Sequence, residues 1–97
     1  MYNYFLLIGK VSEKPVVEEL KDGKRKCVIK LSVARSFMDY QGERVSDVLE
    51  IQFCDFMIDF IEDNIKKGNM VMVKGRMQAT EQGIELIGEK IMFFNQA

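Results

Sequence analysis

Apolar positions along the chain recur first at a spacing of two, then at helical spacing, then at two again. Residues 4–11 form a dense apolar run closed by Ser12 and Glu13, and Pro15 turns the chain before Val16 and Val17. Proline cannot donate to a strand ladder, so the pattern predicts a first strand bent or interrupted near Pro15. Lys21-Asp22-Gly23-Lys24 carries the Asp-Gly pair of a hairpin turn. Beyond it Cys27, Ile29, Leu31 and Val33 alternate with Lys26, Val28, Lys30, Ser32 and Ala34. A period of two with lysines on one side marks a half-exposed strand.

Asp39-Tyr40-Gln41-Gly42-Glu43-Arg44 is a polar tip, so the second and third strands are expected to form a hairpin. The third, residues 45–53, turns Leu49, Ile51 and Phe53 inward and Val48, Glu50 and Gln52 outward. From 55 to 67 the period changes: Ile58, Ile61 and Ile65 fall at helical spacing, with Asp55, Asp59, Glu62 and Asp63 on the other side. Acids at its start, Lys66 and Lys67 at its end and Gly68 beyond predict a helix over 55–67. Alternation returns with Val71, Val73, Gly75 and Met77 facing one way and Met70, Met72, Lys74, Arg76 and Gln78 the other. A turn at 81–83 leads to a last strand, 84–94. Three strands, one helix and two strands is the layout of an all-β OB-fold, a five-stranded antiparallel Greek-key barrel with its helix between strands three and four.

Composition narrows the chemistry. The chain has 97 residues, 47% hydrophobic and 30% charged, with one Pro and seven Gly, so a single folded domain spanning 1–97 is expected and low-complexity classes are excluded. Histidine is absent, which removes the commonest general base and zinc ligand. Cys27 and Cys54 lack metal or redox spacing and are expected to be small, buried or half-buried apolar residues. The carboxylates on the helix could be imagined around magnesium, but acids on one face of an amphipathic helix are expected to be solvated surface. Neither an enzyme nor a cofactor is therefore expected. The N-terminal run lacks a basic segment and a cleavage site, and no run approaches the roughly 18 apolar residues of a membrane span. A reduced, cytoplasmic protein is the expectation.

The net charge of −1 conceals segregation: residues 1–45 carry +3, residues 46–65 carry −6 and residues 66–97 carry +2. Screening acts over about 8 Å at physiological salt, so an acidic helix on the far side of a barrel would leave a binding groove unaffected. Lys26 and Lys30 on the second strand, with Lys74 and Arg76 on the fourth, are then candidates for a basic track along a phosphate backbone.

Several segments resemble the bacterial and phage single-stranded DNA-binding proteins over nearly the whole chain. They are Asn3 with the apolar run into Gly9-Lys10, the run Leu31-Ser32-Val33-Ala34-Arg35-Ser36-Phe37 before Gly42-Glu43, Ile65-Lys66-Lys67-Gly68 leading to Val71, Val73 and Gly75-Arg76, and Glu85-Leu86-Ile87 before Ile91 and Phe93. The resemblance implies binding of single-stranded DNA without much sequence preference, by stacking on aromatics in a basic groove, in replication, recombination or mobile-element DNA metabolism. It places Phe37 as a stacker at the mouth of the loop and Tyr40 as a second platform. Arg35 and Tyr4 complete the candidate set. The family's other aromatic positions fall on Val48 and Cys54, which cannot stack, and outward Glu50 replaces a basic residue. The hairpin at 79–83 is short, and a single domain with neither the family's linker nor its acidic tail is the expectation. A weaker, more salt-sensitive binder than usual follows. The alternative is a protein-interaction subunit of the primosome-accessory kind, with replication proteins as partners. Surplus apolar side chains on the outer strands, including Tyr2, Tyr4, Leu6, Ile8, Val28, Ala34, Met70 and Met72, predict a homo-oligomer, dimer or tetramer.

Overall fold

A computed structural model of the chain describes residues 1–94, and the expectations about the chain's end fall outside them. In order, the elements are β1 (Phe5–Val11), β2 (Val16–Glu19), β3 (Arg25–Met38), β4 (Arg44–Cys54), α1 (Asp55–Asn64), β5 (Met70–Thr80) and β6 (Gly83–Phe93). The strands lie in the order β1-β5-β6-β4-β3-β2, and β1 also pairs with β3, closing the sheet into a barrel.

The break at Pro15 explains why six strands make a five-stranded barrel. β1 pairs with β5 from Phe5 to Lys10 and touches β3 only at Lys10 and Val11. β2 pairs with β3 alone. Together they are one strand that changes partner at a bend where the proline has no N–H to contribute. One pairing in the barrel is parallel: β4 meets β6 through Ile51 opposite Leu86 and Gln52 opposite Ile87. This parallel seam is one link of the closed barrel, which has the OB-fold topology expected from the element order.

Inward positions follow the predicted alternation, with Cys27, Ile29, Leu31, Ile51, Phe53, Val71 and Val73 buried. Ile58, Ile61 and Ile65 close the end of the barrel beneath the helix. Leu49 and Val33 are only half-buried and Met77 is exposed, because their strands run past the barrel into projecting hairpins. The radius of gyration, 14.4 Å, exceeds the roughly 12.5 Å of a compact chain this long for the same reason.

The helix is shorter than its sequence pattern predicts. It ends at Asn64, and Ile65 is already extended. The Lys66 N–H donates to Asn69 Oδ1 at 2.7 Å, and the Asn69 N–H returns to the Lys66 carbonyl at 3.1 Å. This turn, with Gly68 at φ +93°, replaces the last helical turn, so Lys66 and Lys67 do not sit at the helix C-terminus. Among the described residues no helix is long and apolar enough to cross a membrane.

Phe53, the largest fully buried side chain, lies against the seam. Its ring occupies the space where a Cβ at Gly88 would stand, and Gly88 faces Gly75 across β5 and β6. Gly88→Ala overpacks this contact and is expected to cost about 1–3 kcal/mol, while Phe53→Ala leaves a cavity and costs roughly 3–5 kcal/mol. Urea denaturation followed by circular dichroism checks both.

Candidate nucleic-acid interface

The outer surface of the barrel carries the candidate residues, and the cross-strand registers decide which of them meet. β3 and β4 are paired from Lys26 opposite Cys54 to Ala34 opposite Ser46, after which a bulge shifts the register to Met38 opposite Arg44. Arg35 and Phe37 lie in the bulged segment. Bulges re-aim side chains, and Phe37 is 69% exposed here. Tyr40, at the hairpin tip, is 96% exposed.

Local hydrogen bonds shape the tip. Asp39 Oδ1 accepts from the N–H groups of Gln41 and Glu43, both at 2.9 Å. The Asp39 N–H donates to the Glu43 carbonyl at 2.9 Å, and Gly42 takes φ +80°. An Asx-type turn of this kind sets the loop without help from the core. Arg35 adds a cross-strand clamp, donating from Nε and a terminal nitrogen to the two carboxylate oxygens of Asp47 at 3.0 and 2.9 Å. The clamp raises the Arg35 pKa and lowers that of Asp47, in each case chiefly through the shared hydrogen bonds. A lowered carboxyl pKa means that the pair is fully formed above the ordinary carboxylate range and is lost as pH falls through the Asp47 value.

Most of the other candidate cations are also paired. Lys26 lies 3.7 Å from Glu18, Lys30 lies 3.5 Å from Glu13 and 4.0 Å from Glu50, and Arg76 lies 3.9 Å from Glu89. Lys74 instead sits over the Tyr4 ring, 5.9 Å from its centre. Asn3 holds Tyr4 there: its side chain donates to the Met77 carbonyl at 2.7 Å and accepts from the Met77 N–H at 3.0 Å.

The candidates do not form one contiguous track. Arg76, Ile87, Gln52 and Val28 make a single row across β5, β6, β4 and β3, with Lys26 and Lys30 flanking its β3 end. Strand spacing puts the two ends of that row roughly 14 Å apart. Lys74 belongs to a different set of rows, Leu6-Lys74-Lys90 and Ile8-Met72-Met92, beyond the register shift at Gly75. Phe37, Tyr40 and Arg35 form a third group at the hairpin tip.

The acidic side of the helix is organised by Arg25, which was not among the candidates. Its guanidinium lies 3.0 Å from Asp55, 3.3 Å from Asp59 and 3.8 Å from Glu62. These carboxylates are an ion-pair network, and the hydrogen bond to Asp55 is the main cause of the raised Arg25 pKa. A second residue missed from the sequence is Phe56, 81% exposed at the start of the helix. Its signal was present, since two residues before Ile58 is about 200° round a helix from the buried face.

Closed barrel, bent first strand and one helix between β4 and β5 define the OB-fold. The pattern of the single-strand binding protein family matches residues 2–90, and the chain belongs to that family. A single-stranded DNA-binding protein of Caldanaerobacter subterraneus subsp. tengcongensis is 31% identical over 78 residues, covering 80% of this chain and 52% of its own length. Single-stranded DNA-binding protein 1 of Clostridium acetobutylicum is 27% identical over 101 residues, covering 94% and 92%. The chain thus spans about half the length of the first relative and most of the second. Among solved structures, a Plasmodium falciparum SSB in complex with ssDNA aligns with TM-score 0.78 at 22% identity, covering 98% of this chain and 96% of that one. A deletion mutant of the single-stranded DNA-binding protein of Thermus aquaticus aligns with TM-score 0.77 at 18% identity, covering 97% and 51%. Likeness at these identities establishes the fold.

One of the two cysteines departs from expectation. Cys27 is buried, but Cys54 is exposed, and both are free. Cys54 closes β4 on its outward parity, next to inward Phe53. Burial pushes the Cys27 thiol up to about 11, with Glu62 adding to the shift. Since the thiolate is the reactive form, Cys54 should react with a disulfide reagent in the native protein and Cys27 only after unfolding. Counting thiols with and without denaturant checks this.

Proposed function

We propose that the chain binds single-stranded DNA without sequence preference, holding strands during replication, recombination or phage and mobile-element DNA metabolism. The observation that carries this reading is the pair Phe37 and Tyr40, exposed on a hairpin tip that Asp39 and the Arg35–Asp47 clamp hold in shape. Pre-formed aromatic platforms accept any base, because every base has a stacking face. Membership in the family supports the same reading, and a cytoplasmic location goes with it. Lys26, Lys30, Lys74 and Arg76 supply the phosphate contacts, although their carboxylate or aromatic partners must be displaced or shared. Binding is consequently weak.

Stacking in OB-fold binders is worth about 1–3 kcal/mol per base, so Phe37→Ala and Tyr40→Ala should each weaken oligo(dT) binding by roughly 5- to 150-fold. Glu50→Gln, which removes one of the two carboxylates beside Lys30 and leaves Glu13, should tighten it. Fluorescence anisotropy at low salt measures all three, and an absence of saturable binding at micromolar protein would overturn the reading. The pairing of the cations favours one alternative, an OB subunit that serves replication proteins. Pull-down of host replication proteins alongside the DNA titration separates the two.

A homo-oligomer belongs to the same proposal. β1 has no strand partner on one edge from Phe5 to Gly9 among the described residues. Beside that edge, Leu6 and Ile8 are each more than half exposed, Ile8 in the apolar row that runs to Met72 and Met92 and Leu6 in the neighbouring row that runs to Lys74. An open edge beside an apolar face is a pairing surface. Val28 and Ala34 lie elsewhere on the barrel and do not contribute to it. Size-exclusion chromatography with light scattering should find a dimer or tetramer, and Ile8→Glu should reduce it to a monomer.

A further inference from the structure

A groove of about 680 Å³ runs between the 20–24 turn and the start of α1, within the rough 300–1,000 Å³ range of ligand sites. Leu20, Cys54, Phe56 and Ile87 give it apolar surface, and Lys24 and Lys26 line it as well. We propose that this groove is a nucleobase site, in which Phe56 is the stacking platform and Lys24 and Lys26 contact the adjoining phosphate. The proposal rests on the reading of the chain as a single-stranded DNA binder.

Three requirements of a base meet here. A base needs a flat apolar partner, and Phe56 offers one that nothing in the barrel covers: the side chain lies opposite Ile58 on the helix and is 81% exposed. Leu20 and Cys54 are exposed in the same concavity, so the apolar surface is collected in one place and not scattered singly, as ordinary surface residues are. A base also needs polar groups at its edge. Gln52 lines the groove and donates one amide N–H to Glu85, leaving its amide oxygen as an acceptor. Finally, a base brings a phosphate. Lys24 forms no ion pair among the described residues, and Lys26 is held only by Glu18 at 3.7 Å.

Asp55 and Asp59 also line the groove and would repel a phosphate if left alone. Arg25 occupies both, at 3.0 and 3.3 Å. With three cations against two carboxylates, the charged lining carries a net +1, which disfavours a basic peptide and suits a nucleotide. The groove is continuous with the row Gln52-Ile87-Arg76 across the barrel, so a strand entering it from the hairpin tip would follow the β3–β4 face. Cys54, at the strand position where the family resemblance calls for an aromatic, offers no ring. Phe56 supplies one from the first turn of the helix instead.

Cys54 provides a local reporter, because it lines the groove while the Cys27 thiol is buried. Saturating oligo(dT), with binding followed by anisotropy, should slow modification of Cys54 by a disulfide reagent. Phe56→Ala should weaken binding by roughly 5- to 150-fold with an unchanged urea midpoint, and Phe56→Trp should restore it. If oligo(dT) saturates the protein while Cys54 reacts at its free rate, the groove is empty of DNA and the proposal fails, although DNA binding stands. Protection of Cys54 with parental affinity in Phe56→Ala overturns the stacking assignment. No saturable binding by the parent protein removes the functional reading itself and the groove proposal with it.

Discussion

The barrel depends on one contact, the Phe53 ring against Gly88 at the parallel seam between β4 and β6. The sheet closes on itself where β1 meets β3, and the interior so enclosed must be filled without overlap. Phe53 fills it from β4, and the opposed glycines Gly75 and Gly88 make room for that ring and for Phe5. Once the seam is closed, Ile58, Ile61 and Ile65 seal the end. The interior is committed to packing, so whatever the protein binds must be bound outside it.

On that outer surface the cations of β3 and Arg76 of β5 lie in local ion pairs. Arg25 gathers three carboxylates, Arg35 grips Asp47, and Lys26, Lys30 and Arg76 each lie within reach of an acid. Paired charges cancel beyond a Debye length, so these cations offer little long-range attraction to a polyanion. Recognition therefore falls to short-range contacts, and the exposed aromatics become the dominant feature. Phe37 and Tyr40 at one hairpin and Phe56 at the helix start are placed by three different devices: a bulge, an Asx turn and the opposite face of an amphipathic helix. Each sits on structure that a neighbouring ion pair or hydrogen bond steadies.

The exposed apolar surface divides into two kinds. Leu6, Ile8, Met72 and Met92 lie in flat rows beside an open strand edge, a shape that suits another sheet. Leu20, Cys54 and Phe56 line a concavity that cations line as well, a shape that suits a small planar group. Hydrophobicity alone does not distinguish them. The register at Gly75, where β5 and β6 slip against each other, separates Lys74 and the flat rows from Arg76 and the groove side.

The amino-acid sequence determined whatever depends on neighbours a few residues away. Alternation marked β3, β4 and β5, Pro15 marked the bend, Asp22-Gly23 and Gly42 marked the turns, and inward Ile29, Leu31, Ile51 and Phe53 are the core, because strand parity is a local property. The exposure of Phe37 and Tyr40 at the β3–β4 hairpin was likewise a local matter, while the stacking role the resemblance implies for them is proposed. The end of the helix was not, since Asn69 captures the Lys66 N–H from beyond it. Tertiary structure alone decided the pairings: Arg25 meets Asp55 thirty residues away and Arg35 meets Asp47 twelve away. It also separated Lys74 from Lys26 and Lys30, and set Phe56 beside Leu20 and Lys24. Such meetings depend on which strands become neighbours when the barrel closes, and closure is a global condition that no local period encodes.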